Sequence, residues 1–70
     1  MWKNGDRFTS ILENYSRFKI KDKKGTIIDD EDQDSLVVCF DDNVNGWGDS
    51  DLNIPDGHGI YIDSDNIIKV

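Results

Sequence analysis

The chain has one cysteine, one histidine and one proline in 70 residues, and its longest apolar run is the five residues from Leu36 to Phe40. A single cysteine excludes an internal disulfide, and one Cys with one His cannot supply a four-ligand zinc site. A run of five falls far short of the roughly 20 apolar residues that a membrane-spanning helix needs. The opening Met1 to Asp6 also lacks the apolar core of a secretory signal. We therefore expect a soluble, cytoplasmic protein with no membrane partner. At this size a fold removes only about 60% of the surface its unfolded chain exposes. That suits a single domain over residues 1–70 with a small core, and leaves no room for an enclosed cofactor.

Basic residues are scarce in the second half. The formal net charge of -7 comes from 15 acidic and 8 basic side chains. Residues 1–28 carry seven bases and three acids, a balance of +4, whereas residues 29–70 carry twelve acids and only Lys69, a balance of -11. Such a field repels nucleic acid and draws in basic protein surfaces at salt-dependent rates. It disfavours direct binding of DNA or RNA, although acidic loops also serve simply to keep a small domain soluble.

What is present in quantity is β-branched and aromatic sequence in short runs. No apolar stripe at helical spacing is long enough for an amphipathic helix, and there is no internal repeat. Ser35 to Asp41 reads as a central strand, with Leu36, Val38 and Phe40 on one side and Val37 and Cys39 on the other. Gly25 to Asp29 reads as a second strand, and the pair brackets an acidic hairpin tip, Asp29 to Asp34, with five carboxylates in six residues. Asp6 to Leu12 fits a first strand or a helical turn. Gly59 to Ile62 and Ile67 to Val70 read as closing strands joined by a turn at Asp63 to Asn66. Asp42 to Gly57 looks like a long irregular loop, the kind that is functional in a domain this small. The sum is an all-β fold, a small barrel of four to five antiparallel strands with a long acidic loop.

Gly5-Asp6-Arg7-Phe8, Lys24-Gly25-Thr26-Ile27-Ile28, Leu36-Val37-Val38-Cys39-Phe40-Asp41-Asp42, Gly57-His58-Gly59-Ile60-Tyr61-Ile62 and Ile67-Ile68 together resemble small phage-encoded proteins with an SH3-like β-barrel. The resemblance covers most of the chain from Gly5 onward. It implies that the strands around Thr26 and Val38 form a central hairpin and that the loop after it carries a variable binding surface. The chain departs from the family at Ile60, where a larger aromatic is expected, and in its extended acidic tip.

Four groups of residues are candidates for function. The carboxylates Asp30, Glu31, Asp32 and Asp34 are candidates for protein contact, together with Trp47, Asp49, Asp51, His58 and Tyr61. Trp47, between Gly46 and Gly48, is either a lid over the barrel end or a binding anchor, and Trp2 is open to the same two roles. Asp41-x-Asn43-x-Asn45-Gly46 with Asp49 and Asp51 resembles half of a calcium loop. Leu52 stands where the bidentate Glu should be, and Asn45-Gly46 is equally a favoured turn pair. His58, between two glycines, offers a pH-sensitive contact or a structural bond to a loop carbonyl, and Tyr61 points outward if Ile60 and Ile62 point inward. Cys39, in the apolar strand with no basic neighbour, reads as a small core residue.

No nucleophile, base and orienting group occur together, so an enzyme is the least favoured class. The leading expectation is an acidic protein-binding module. In its most specific form this is a phage-encoded inhibitor or modulator of a host defence or nucleic-acid-handling protein, in which carboxylates mimic phosphates on a basic surface. The alternative is a small-ligand or calcium-binding domain using Asp41 to Gly59. Edge strands and the opposite charge of the two halves also allow a homodimer.

Overall fold

Strand alternation organises the molecule. The computed structural model describes residues 1–13 and 18–70, so Arg17 of the basic half lies outside the described residues. The described residues contain six strands, β1 (Arg7–Ser10), β2 (Lys24–Asp29), β3 (Leu36–Phe40), β4 (Trp47–Asp49), β5 (Ile54–Ile62) and β6 (Ile67–Lys69). They build one sheet in the order β4-β5-β3-β2-β1-β6, and every neighbouring pair is antiparallel. The all-β class and the antiparallel β2–β3 hairpin follow from the β-branched alternation. The four to five strands of a closed barrel do not: there are six, and the ladder stays open, with β4 and β6 at its edges.

The sheet is nevertheless bent around its core. Only residues 63–66 link β5 to β6, although β3, β2 and β1 lie between them. Four strand spacings in a flat sheet would be about 19 Å. Those four residues include a 3-10 turn, Ser64–Asn66, whose cap Asp63 accepts the Asp65 N–H at 2.9 Å. A short, turned link of that kind cannot bridge a flat sheet, so β5 and β6 must approach across the concave side. Ser64 N donates to Gln33 O at 3.1 Å and Ile11 N to Asn66 O at 2.9 Å, tying the link to both neighbours.

The concave face holds the core. Phe8, Ile27, Leu36, Val38, Phe40, Ile60, Ile62 and Ile67 come from the strands, and Trp2, Ile20 and Val44 fold in from the connections. Gly25 pairs with Phe8 on one side and Phe40 on the other. A Cβ there would stand 2.8 Å from Phe8 Cζ, so the glycine leaves the space in which the two rings meet edge to face, 5.3 Å apart at 81°. Trp2 is a core residue, not a lid or an anchor. It is 9% exposed, packs edge-on to Phe8 at 6.4 Å, and its backbone N and O both bond the Gln33 side chain at 3.0 Å.

Residues 42–57 are more ordered than their composition suggests. They contain β4 and the first four residues of β5, which pair with each other at Asp49 and Ile54. β3 reaches β5 only from Gly59 onward, so Pro55 lies where β5 has a single neighbour and its missing N–H costs little. Gly57, at φ 91, accepts the N–H of Val44 at 2.9 Å and of Gly46 at 3.0 Å, which seats the β3–β4 connection.

Candidate functional site

Because paired residues share a face, the register also defines the convex side. One row runs Trp47, Gly59, Cys39, Thr26, Arg7, and the next runs Tyr61, Val37, Asp29. Ile60 and Ile62 are buried and Tyr61 is 54% exposed, as their alternation requires. Cys39 is on this outward face and half-buried, not in the core: its strand partner Thr26 and its neighbour Gly59 leave it partly uncovered. Burial, and after it the Asp41 charge, raises the Cys39 pKa, which opposes a thiolate.

Trp47 lies against Gly59, where a Cβ would stand 2.8 Å from its Cε3, and beside Tyr61, with ring centroids 5.2 Å apart and planes inclined by 39°. Phe18, which also packs on the core, lines a cleft of about 160 Å³ together with this pair and Ile60. Trp47 is thus neither a lid over the end of the sheet nor a lone projection. It is half of an aromatic pair in the wall of a cleft. Phe18 could not be assigned to this site from the sequence, because in a lysine-rich stretch it carries only the signal of a strand residue.

The structure separates the acidic tip from Trp47. Residues 30–35 join β2 to β3 ahead of Leu36, next to the Tyr61 row, whereas Trp47 lies in the row of Cys39, two residues or about 7 Å further along. Asp30 is half-buried and accepts the Asn4 N–H at 3.1 Å; Gln33 donates to Asp30 O at 2.9 Å. Asp29 accepts from Glu31 N and Asp32 from Asp34 N, at 2.9 and 3.0 Å. The tip is therefore stitched to the N-terminal segment, with Glu31, Asp32 and Asp34 exposed.

The carboxylates and amides of 41–51 do not converge. Asp41 is held two-point by Arg7, Nη1 donating to Oδ1 at 2.8 Å and Nη2 to Oδ2 at 2.5 Å, while Nη1 also reaches Thr26 Oγ1 at 2.9 Å. This fork lowers the Asp41 pKa and raises that of Arg7. Asn43 Oδ1 accepts from Asn45 N and Asp49 Oδ1 from Asp51 N, each at 2.9 Å, as turn caps do. Among the described residues no three His, Cys, Asp or Glu side chains are placed to hold one metal ion. His58 stands apart from the cleft, with Nδ1 2.7 Å from Phe40 O at the far end of β3, the structural role open to it. Of the nine residues singled out for protein contact, the structure brings Trp47 and Tyr61 together, sets Asp30, Glu31, Asp32 and Asp34 on one hairpin beside the Tyr61 row, and leaves Asp51 and His58 elsewhere. Asp49 lies two residues beyond Trp47 on the same strand.

Two other depressions mix polar and apolar surface. One of about 470 Å³ lies at the β4–β5 turn, against Ser50, Asn53, Ile54, Pro55 and Asp56; the other, about 300 Å³, is lined by Glu13, Lys19, Lys21 and Lys23. Among the described residues no helix is long and apolar enough to cross a membrane.

Fold and site define a small all-β protein in which the outward-facing Trp47 and Tyr61 line a cleft together with the core-packed Phe18 and Ile60. The chain matches no protein-family model, and no curated protein or solved structure is significantly similar to it.

Proposed function

We propose that the chain is a small acidic protein-binding module whose contact surface is the convex face around Trp47 and Tyr61. The observation that carries this reading is the aromatic pair itself. Two large rings are held against each other on an outward face, one of them in the space that a glycine leaves. Rigid aromatic side chains give much contact area for little lost freedom, which is why they dominate binding hot spots. The net charge of -7 selects the partner: a protein with a basic surface, since nucleic acid would be repelled.

The resemblance to SH3-like phage proteins adds a role. In it the module is an inhibitor or modulator directed at a host defence or nucleic-acid-handling protein, working in the cytoplasm, with Glu31, Asp32 and Asp34 standing where phosphates would. The curvature that the short β5–β6 link imposes is in keeping with a barrel-like ancestry.

The test is affinity capture from bacterial lysate with the tagged chain, washed over a salt series, beside a variant carrying Glu31→Lys, Asp32→Lys and Asp34→Lys. The expected result is one protein retained at low salt, released as salt rises, and bound weakly by the charge-reversed variant. Equal retention by both chains at every salt concentration would remove the acidic hairpin from the contact.

A further inference from the structure

The sequence holds two Asn-Gly pairs, Asn4-Gly5 and Asn45-Gly46, and the fold treats them differently. An asparagine followed by glycine loses its side-chain amide without any enzyme, which makes the pair a weak point of a chain. The glycine N–H gives up its proton, the nitrogen attacks the asparagine Cγ, a C–N bond forms, and the bond from Cγ to Nδ2 breaks with release of ammonia. Water then opens the cyclic imide at one carbonyl or the other, leaving an aspartyl or an isoaspartyl residue. The step needs a free glycine N–H and space for the ring to close. Gly5 has that space: Asn4 and Gly5 are both exposed, and a Cβ on Gly5 would meet nothing within 4 Å. One hydrogen bond engages the reacting nitrogen, from Gly5 N to Ile27 O at 2.8 Å. Gly46 is half-buried and packed, since a Cβ there would run into Gly59 O and stand 3.1 Å from Ile60 Cγ1. Its N–H donates to Gly57 O at 3.0 Å, the same oxygen that takes the N–H of the buried Val44. Asn45 has left-handed backbone, φ 63, and its own N–H is held by Asn43 Oδ1 at 2.9 Å. Freeing the Gly46 nitrogen therefore means undoing the β3–β4 connection, whereas freeing the Gly5 nitrogen is a local opening.

We infer that Asn4 is a site of spontaneous deamidation in the folded chain and that Asn45 is spared until the chain unfolds. The product matters because of where it falls. Trp2, two residues earlier, is buried in the core and held through its backbone by Gln33, and Asn4 N donates to Asp30 Oδ2 at 3.1 Å. An isoaspartyl linkage carries the main chain through Cγ and so adds one methylene between Trp2 and β1. Either product also places a new carboxylate on a segment that Asp6 and Asp30 already flank, and like charges repel. Both changes work against the docking of Trp2, so ageing at Asn4 loosens the core.

The test is incubation of the intact chain in mildly alkaline buffer, folded and in urea, with peptide mapping by mass spectrometry over time. Deamidation reads as a gain of one mass unit, and electron-transfer fragmentation tells the isoaspartyl from the aspartyl product. The expected result is that Asn4 is modified at least about tenfold faster than Asn45 in the folded chain, and that in urea the two rates come within about threefold of each other, because the dipeptide is the same. The thermal midpoint of the folded chain should fall as the Asn4 product accumulates. Asn4→Gln, whose longer side chain closes the corresponding ring far more slowly, should keep its midpoint over the same period. Equal rates at the two sites in the folded chain, faster reaction at Asn45, or an Asn4 that stays intact in the folded chain while it is modified in urea would each overturn the assignment. An unchanged midpoint in a chain fully modified at Asn4 would overturn the loosening of Trp2.

Discussion

The indole of Trp47 rests on the backbone of Gly59: a Cβ at Gly59 would lie 2.8 Å from Cε3 and 2.9 Å from Cδ2 of the ring. Gly59 does not have a positive φ, so its role is the space it leaves and not an unusual backbone. Gly59→Ala should therefore displace the ring and overpack the β4–β5 pair, costing about 1–3 kcal/mol in urea unfolding. Trp47 emission should shift to the red at the same time. An unchanged urea midpoint would mean that the indole does not lie on Gly59.

Trp2 joins the core from the N-terminal segment, and Gln33 fixes its backbone at both ends of the residue. Trp2→Ala should cost about 3–5 kcal/mol, a large share of what a domain of this size possesses. The expected outcome is loss of the cooperative thermal transition seen by circular dichroism at physiological temperature, with Trp2→Phe partly restoring it. A Trp2→Ala protein as stable as the parent would contradict the packing against Phe8.

The Arg7–Asp41 fork makes stability pH-dependent in a defined direction. A carboxyl whose pKa is lower in the folded chain stabilises it fully above the unfolded value, about 3.9, and stops doing so as pH falls through the folded value. Asp41 is lowered by the Arg7 hydrogen bonds, and Asp6 by the Lys3 backbone N–H and then by Lys69. Arg7 and Asp41 are exposed enough that solvent screens them, so their ion pair contributes about 0.2–1 kcal/mol at pH 7. The stability difference between the parent and Asp41→Asn should be of that size at pH 7 and shrink toward zero below pH 4. A difference that stays constant with pH would rule out the ion pair as its source.

Cys39 is half-buried with its pKa raised, chiefly by desolvation. Alkylation by iodoacetamide at pH 8 should be about tenfold slower in the folded chain than in urea. Equal rates would show that β3 does not shelter the thiol.

Alternation made the centre of the sheet legible. Leu36, Val38 and Phe40, and likewise Ile60 and Ile62, each mark a buried face by period two, and with one face buried the register is fixed. β4 and the start of β5 were not legible. Trp47-Gly48-Asp49 and Ile54-Pro55-Asp56-Gly57 have the composition of loops, and what orders them is pairing with one another together with the Gly57 carbonyl. Trp2 could not be placed because its burial depends on Gln33, 31 residues away. Six strands replaced four or five for the same reason: edge strands of three residues are held by their neighbours more than by their own propensity.

Trp47 and Tyr61 were each visible as candidates, one as an aromatic among glycines and the other by its outward parity. Their contact was not, since it depends on Trp47 pairing with Gly59 two residues before Tyr61. The carboxylates at Asp41, Asp49 and Asp51 matched a spacing that suggests metal binding, yet Asp41 serves Arg7, and the side-chain oxygens of Asn43 and Asp49 each serve an adjacent backbone N–H. A spacing motif states which oxygens are near in sequence; the β3–β4 connection decides where they point.

The measurement that bears most directly on the central claim is a parallel capture from bacterial lysate with the parent chain and Tyr61→Ala, after circular dichroism has shown that both are folded. The account predicts that a salt-sensitive partner held by the parent is lost or reduced at least tenfold with Tyr61→Ala. Undiminished capture by the folded Tyr61→Ala chain would contradict the convex aromatic face as the binding surface.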